Sequence, residues 1–502
     1  MTRMNRSIRR SLLLLATFFA SSVSSKAADA QITESEYAAR RAALAQRVQN
    51  GVIIALGSPE PSEHYISFFQ NPHFDYLTGF HEPEAALVMV VKNGTIAGTP
   101  LLFVQPSDPA REVWTGHRLG VAAVRSTLGM DGRDIEYLPA VVDSILTREA
   151  NIPVLGIGSF GSEQALTADD QTINRLTANK PNIQFRRVNA DVSALRRIKS
   201  PAEQDLLRRA INISVAGHRE AMKLIEPGMN EFEVQALVEY TFRRNGSNRP
   251  GFASIIGSGP NSTTLHYIAN DRFIENGDII VMDIGAAYGS YSADVTRSVP
   301  ANGTFSPPQR DIYNAVRSAQ AAAEKAASVN GLARALSDAA DASLDQSLTR
   351  LGLIEAPGAT YDCGSSQCAQ RTLYYMHGLG HAIGLDVHDA GAASGSGNLV
   401  PGSAFTIEPG IYVRGNLLDI IPKTARNQAM IAKIAPAVRK YANIGVRIED
   451  DYIVTPNAVE WISKAPRELE EVEAMMKQPY TGPAPRDAAT VEAYRTTSRR
   501  VP

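Results

Sequence analysis

The chain has 502 residues, of which 44% are hydrophobic and 20% charged, and carries a formal net charge of −2. That length suits two or three domains, and the composition excludes a disordered chain. The near-neutral charge gives no electrostatic reason to bind nucleic acid or an anionic membrane. The first residues stand apart from the rest. Arg3, Arg6, Arg9 and Arg10 precede a short apolar run at 12–20, and Ala28 and Ala30 supply a small-x-small cleavage pattern. This is the layout of a secretory signal peptide over 1–30, since the apolar run falls short of the roughly 20 residues that a membrane span needs. Its removal deletes five basic residues and Asp29, leaving a more acidic mature chain. The expected location is periplasmic or secreted, with no membrane attachment after cleavage. Export to an oxidising compartment favours a local disulfide between the only two cysteines, Cys363 and Cys368, over a pair of free thiols.

Residues 31–190 mix helical and strand patterns. VIIAL (52–56), ALVMVV (86–91) and PLLFV (100–104) read as buried strands. Gly156, Gly158 and Gly161 spell G-x-G-x-x-G after an apolar run, but the acidic residue that a dinucleotide site needs about 20 positions on is missing. The glycines therefore read as a strand-to-loop turn. His64, His73, His81 and His117 are scattered and read as structural or surface residues. A domain boundary is expected over 191–200, where Ser200 and Pro201 open a helical stretch that runs on through 203–222. Beyond about residue 250 the texture becomes short β-rich runs separated by Gly, Asn and Asp, interrupted at 315–342 by one Ala-rich helical segment. Residues 476–502, rich in Pro, Thr and Arg, read as a mobile tail. No repeat of 20–50 residues is present, which disfavours a solenoid or propeller. No G-x-S-x-G elbow occurs either, which disfavours a serine hydrolase.

The most informative segment is DIIVMDIGAAYGSYSADVTRSV (278–299). Two strand-like runs flank Tyr288-Gly289, as in a β-hairpin. With those two as loop residues, Ala287 faces Ser290, and counting outward sets Asp283 directly opposite Asp294. Two facing carboxylates repel unless something neutralises them. Hard divalent cations do so, and one pair of aspartates can hold two of them. The competing reading is a solvent-facing pair, with one member protonated or salted by Arg297.

HGLGHAIGLDVHD (377–389) places three histidines, His377, His381 and His388, within twelve positions, out of nine in the chain. The i,i+4 spacing of His377 and His381 resembles a zincin helix, but Gly378, Gly380 and Gly384 argue against a helix, and no Glu follows His377. Glycines here let the backbone approach a site closely. AFTIEPGIYV (404–413) carries Glu408 before a Pro-Gly turn, and IGVRIEDDYIVT (444–455) carries Glu449. Strand alternation puts Arg447 and Glu449 on one face. A carboxylate in an apolar strand is costly to bury unless paired or metal-bound; the alternative is an ordinary Arg447–Glu449 contact on an exposed face.

Taken in order, Asp283, Asp294, His381 in HGLGHAIGLDVHD, Glu408 in TIEPG and Glu449 in VRIED resemble the metallopeptidase family with the pita-bread fold, which includes aminopeptidase P, prolidase and methionine aminopeptidase. YLTGFHEPEAALVMV (76–90) and EVWTGHRLG (112–120) look like the N-terminal domain of bacterial aminopeptidase P. The resemblance covers roughly residues 35–470. It implies an α/β (α+β) architecture, with a smaller mixed α/β N-terminal domain (31–190) followed by a pita-bread catalytic domain (191–475). It implies a dinuclear-metal Xaa-Pro aminopeptidase, with prolidase as the nearest rival and a non-catalytic peptide-binding protein as a reading of a different class. Asp283, Asp294, His381, Glu408 and Glu449 would hold two divalent ions, Mn2+ first, with Co2+ or Zn2+ as alternatives. Asp294 and Glu449 would bridge them, and a hydroxide between the ions would attack the carbonyl before proline. Glu408 would shuttle a proton, and His266 and His388 would stabilise the tetrahedral intermediate, against a bland reading of His266 as a surface loop residue. His377 and Arg447 would bind substrate in its pocket or stand just behind the residues that do. Peptides with proline at position two are the expected partners, and a homo-oligomer the expected assembly. Two departures from the family stand out: a long connection over 414–443 and the segment around the two cysteines.

Overall fold

The computed structural model describes residues 31–497, apart from 64–66, 150–151, 163, 392–396 and 484–486. The signal-peptide segment 1–30 and His64 lie outside the described residues. Among the described residues no helix is long and apolar enough to cross a membrane.

The first half forms a mixed seven-stranded sheet. Its path runs Asp131–Asp134, Leu101–Val104, Ala86–Lys92, Gly51–Leu56, Val154–Ile157, Phe185–Arg187, with Thr95–Ile96 paired to Ala86–Lys92. The three apolar runs read as strands are all in it, and each is buried nearly throughout. Both faces of a covered sheet must be apolar, which is why these strands read as continuous hydrophobic runs rather than alternating ones. Gly156 lies in the strand Val154–Ile157, and Gly158 and Gly161 in the loop after it. Of the scattered histidines, His73 contacts the buried Arg196 at 3.1 Å, while the exposed His81 meets Asp75 and the exposed His117 meets Glu112.

The second half is built of small antiparallel sheets flanked by helices, so helix and strand are mixed in both halves, as expected. Helix Pro201–Leu224 begins with a capping box: the Ser200 hydroxyl accepts from the Glu203 backbone N–H, and the Glu203 carboxylate accepts from that of Ser200. Two orphan donors are thereby satisfied, and Pro201 takes the position where no N–H is needed. The buried face of this helix supports the aspartate-bearing hairpin. Ser214 accepts from the Ala286 N–H at 2.9 Å, and His218 Nε2 donates to the Val295 carbonyl at 2.9 Å.

The hairpin register differs from the expected one. Tyr288 pairs with Tyr291 and Ala287 with Ser292, so the loop residues are Gly289 and Ser290. Both adopt positive φ, 54° and 71°, as a type I′ turn requires. Asp283 therefore faces Thr296, not Asp294. A slip of two residues preserves the side-chain face, whereas a slip of one reverses it. The two aspartates thus remain on one face as diagonal neighbours.

The Ala-rich segment is two helices, Pro307–Ala326 and Arg334–Arg350, rather than one. The break contains Asn330 at φ 63° followed by Gly331, an Asn-Gly turn signal that outweighs the flanking alanines. From the first of these helices Gln320 donates to the Asp450 carboxylate at 2.9 Å. Arg297, fully buried, donates to Asp450 at 2.6 Å and to the Glu449 carbonyl at 2.7 Å. Arg297 therefore does not neutralise the aspartate pair but fastens the strand Val295–Pro300, which follows Asp294, to the segment holding Glu449 and Asp450. The connection 414–443 holds the helices Leu417–Ile420 and Ala425–Lys440. Cys363 and Cys368 form a disulfide at the tip of a two-stranded hairpin beside the second of these. Within the segment read as a tail, Ala488–Thr497 is helical.

Candidate metal centre

Five side chains from separate strands and one glycine-rich loop converge on one point. Asp283 is the penultimate residue of the strand Ile279–Ile284, Asp294 immediately precedes Val295–Pro300, Glu408 follows Ala404–Ile407, and Glu449 lies between Ile444–Arg447 and Asp450–Val454. His381 sits in the loop, which is not helical. Its backbone runs against the strand Ala404–Ile407, with Thr406 N–H donating to the His381 carbonyl and the Glu408 N–H to that of Leu379. A Cβ on Gly380 would stand 2.1 Å from the Thr406 carbonyl oxygen, so close approach of the two backbones demands glycine there.

Ligand atoms of Asp283, Asp294 and Glu449 lie within 4.8 Å of one another, as do those of His381, Glu408 and Glu449, and those of Asp294, His381 and His388. Asp294, His381 and Glu449 each belong to two of these groups. His381 Nε2 is 3.3 Å from Asp294, 3.6 Å from Glu408 and 3.8 Å from Glu449. Its other nitrogen, Nδ1, is 3.2 Å from the Ala382 carbonyl, and donating there leaves Nε2 as the lone-pair nitrogen facing the acids.

The electrostatics mark these acids as incomplete. Asp283, Asp294 and Glu449 are 7%, 5% and 1% exposed. Asp283 Oδ1, Asp294 Oδ1 and Glu449 Oε1 are buried and find no hydrogen-bond donor among the described residues. Burial, and then the charge of Asp283, pushes the Glu449 carboxyl up to about 8. Burial and Glu449 hold both Asp294 and Glu408 well above the usual carboxylate range. Burial and His388 push His381 down to about 4. Converging acids that cannot all ionise, beside a neutral imidazole, are the donor set of a cation site. Carboxylate oxygen and imidazole together fit hard or intermediate divalent ions, so the residues present suit the two-ion group expected.

The remaining expected residues surround this cluster. The Arg447 guanidinium donates to Asp283 at 2.5 Å and to the Tyr412 hydroxyl at 2.9 Å, and Tyr412 is 2.8 Å from His377 Nε2. Arg447 and Glu449 are both buried, which sets aside an ordinary contact on an exposed face. Burial and Arg447 push His377 down to about 4. His388 is exposed, and its ring lies 3.9 Å from that of His381; burial and the positive field of His266 lower it. His266 is exposed on the same rim. Sequence reasoning missed Thr296, which donates to Glu449 at 2.7 Å, and Tyr412. Thr296 stands two residues on from Asp294 and Tyr412 four on from Glu408, so counting in steps of two along each extended segment could have found them.

Comparison with known proteins gives two family models. Metallopeptidase family M24 matches residues 205–456, and the aminopeptidase P N-terminal domain matches residues 37–154. The Xaa-Pro aminopeptidase of Haemophilus influenzae is 32% identical over 89% of this chain and 98% of its own. The human Xaa-Pro dipeptidase is 29% identical over 87% of this chain and 92% of its own. Among solved structures, a variant of Escherichia coli aminopeptidase P in complex with substrate superposes with a TM-score of 0.74 at 28% identity, covering 89% of this chain and 98% of that one.

Proposed function

The chain belongs to metallopeptidase family M24, and on that premise we propose that it removes the first residue from peptides whose second residue is proline. It is a peptidase hydrolase with an aminopeptidase P N-terminal domain and a C-terminal pita-bread domain. The observation that carries the finer reading is the convergence of the buried carboxylates of Asp283, Asp294 and Glu449, each with one oxygen that finds no donor among the described residues, beside His381 and Glu408. Asp283, Asp294, His381, Glu408 and Glu449 would together hold two divalent ions, with manganese as the first choice. Two such ions supply a Lewis acid for the scissile carbonyl and lower the pKa of a water.

The protein's own residues do the rest. Glu408, only partly buried, stands between the acid cluster and His377 and moves the proton from the attacking water to the leaving nitrogen. His388 and His266, on the open rim, donate to the oxygen on which negative charge develops. Donors so placed are worth roughly 3–4 kcal/mol each. Arg447 and Tyr412 lock His377 from behind, so that it presents one face to substrate. Export by cleavage after residue 30 and assembly into a homo-oligomer belong to the same reading.

Dipeptidase action on Xaa-Pro is the second reading, favoured by the similarity to the human Xaa-Pro dipeptidase. An assay of the mature protein on an Xaa-Pro dipeptide beside an Xaa-Pro-Yaa tripeptide separates the two. Cleavage of the tripeptide supports the aminopeptidase, and cleavage of the dipeptide alone overturns it. Absence of any bound or activating divalent ion would favour a non-catalytic peptide binder.

A further inference from the structure

The exposed His388 is carried by a tight loop, and the structure shows what holds that loop. Asp386 and Asp389 flank His388 in sequence, and one guanidinium grips both. Arg196 Nη2 is 2.7 Å from Asp386 Oδ2 and 2.6 Å from Asp389 Oδ1. Arg196 ends the helix Asn189–Arg196, in the stretch that joins the N-terminal sheet to the helix Pro201–Leu224. Its side chain is 3% exposed, and its Nη1 lies 3.1 Å from His73 Nδ1 on the N-terminal side. Lys199, also buried, backs Asp389 at 3.3 Å. The loop closes against this grip: the Asp389 N–H donates to the Ala382 carbonyl, and a Cβ on Gly384 would stand 1.8 Å from the Asp389 carboxylate.

We propose that Arg196 is a positioning residue for His388. By clamping Asp386 and Asp389 together it holds the imidazole against His381 and ties the catalytic loop to the N-terminal half. This rests on the role given to His388 above. Two considerations separate it from ordinary packing. A guanidinium that meets both flanking carboxylates restrains the two sides of the loop tip at once, and whereas Lys199 and the Asp389–Ala382 backbone bond hold the Asp389 side, Arg196 is the side-chain partner of Asp386. Displacement of a catalytic group by about 1 Å costs on the order of a hundredfold in rate. The acids of the metal cluster, by contrast, are held by strands that Arg196 does not touch.

The test is a double-mutant cycle on the metal-loaded enzyme with a proline-containing tripeptide. Arg196→Met is expected to lower kcat between about tenfold and a hundredfold, with KM and the Mn2+ dissociation constant changed by less than about twofold. In a His388→Ala background the same substitution is expected to add less than about twofold, because groups acting as one unit are not additive. Asp386→Asn, at a side chain that is 48% exposed, removes one arm of the clamp without leaving a buried charge unpaired. It is expected to give a smaller loss in the wild-type background and none with His388→Ala, and it carries the test if Arg196→Met does not fold. Full multiplication of either variant with His388→Ala, or unchanged kcat in both folded variants, overturns the inference while leaving the proposed function intact. If His388→Ala turns over like the wild type, the role of His388 fails, and this inference fails with it.

Discussion

Raising the pH should tighten metal binding by a predictable amount, because the metal-free cluster retains protons that a cation must displace. The Glu449 carboxyl sits at about 8 in the metal-free protein, against an ordinary 4.5, with burial as the larger cause and Asp283 the next. Asp294 and Glu408 are shifted in the same direction. A carboxyl whose folded pKa is raised stays protonated in the native state where the unfolded chain has already ionised. The metal-free protein therefore loses stability as pH rises from about 4.5 towards 8, at about 1.4 kcal/mol per pH unit for each proton retained. A divalent ion replaces that proton, so the Mn2+ association constant should climb at least tenfold per pH unit between 6.5 and 7.5. His381 and His377, held down to about 4, are already neutral in this window and release nothing. Calorimetric titration with Mn2+ at pH 7, in two buffers of different ionisation enthalpy, counts the protons directly. At least one per protein is expected, and Glu449→Gln should reduce the count. Binding heats independent of buffer, or an affinity flat from pH 6.5 to 7.5, would refute the account of buried, protonated acids.

Other perturbations have definite signs. Asp294→Asn should abolish peptidase activity and weaken Mn2+ binding while raising the melting temperature of the chelated protein, since it removes a buried acid repelled by Glu449 and Asp283; near-normal turnover contradicts the site. Reducing the Cys363–Cys368 disulfide, which spans a sequence separation of 5, should cost about 2 kcal/mol through the loop entropy it constrains, read as a shift in denaturant midpoint with and without reductant. Ser200→Ala removes the capping hydroxyl of helix Pro201–Leu224 and should cost about 1 kcal/mol with kcat unchanged, checked by urea unfolding alongside activity.

Much of the centre was legible before any coordinates. The five candidate ligands carry their own chemical signature, because acids inside apolar strands and histidines among glycines are expensive unless they serve a cation. Element type was equally legible where local physics is strong: a capping box and Pro201 begin the long helix, and uninterrupted aliphatic runs make the covered sheet strands. The hairpin register was not legible, because Tyr288-Gly289 and Gly289-Ser290 both satisfy the local turn rules. Choosing between them depends on packing against Ser214 and His218 of a distant helix. The same limit applies to the charges. As alternatives to a metal, the sequence offered Arg447 a contact with its neighbour Glu449 and Arg297 a contact with the aspartates, whereas the fold gives Asp283 to Arg447 and Asp450 to Arg297. Composition and pattern determined which side chains could bind a cation and on which strand faces they stand. Only the tertiary structure decided which oxygens were left without partners and which arginine steadied which loop, because ion pairing depends on distances between segments as far apart in the chain as Arg196 and Asp386.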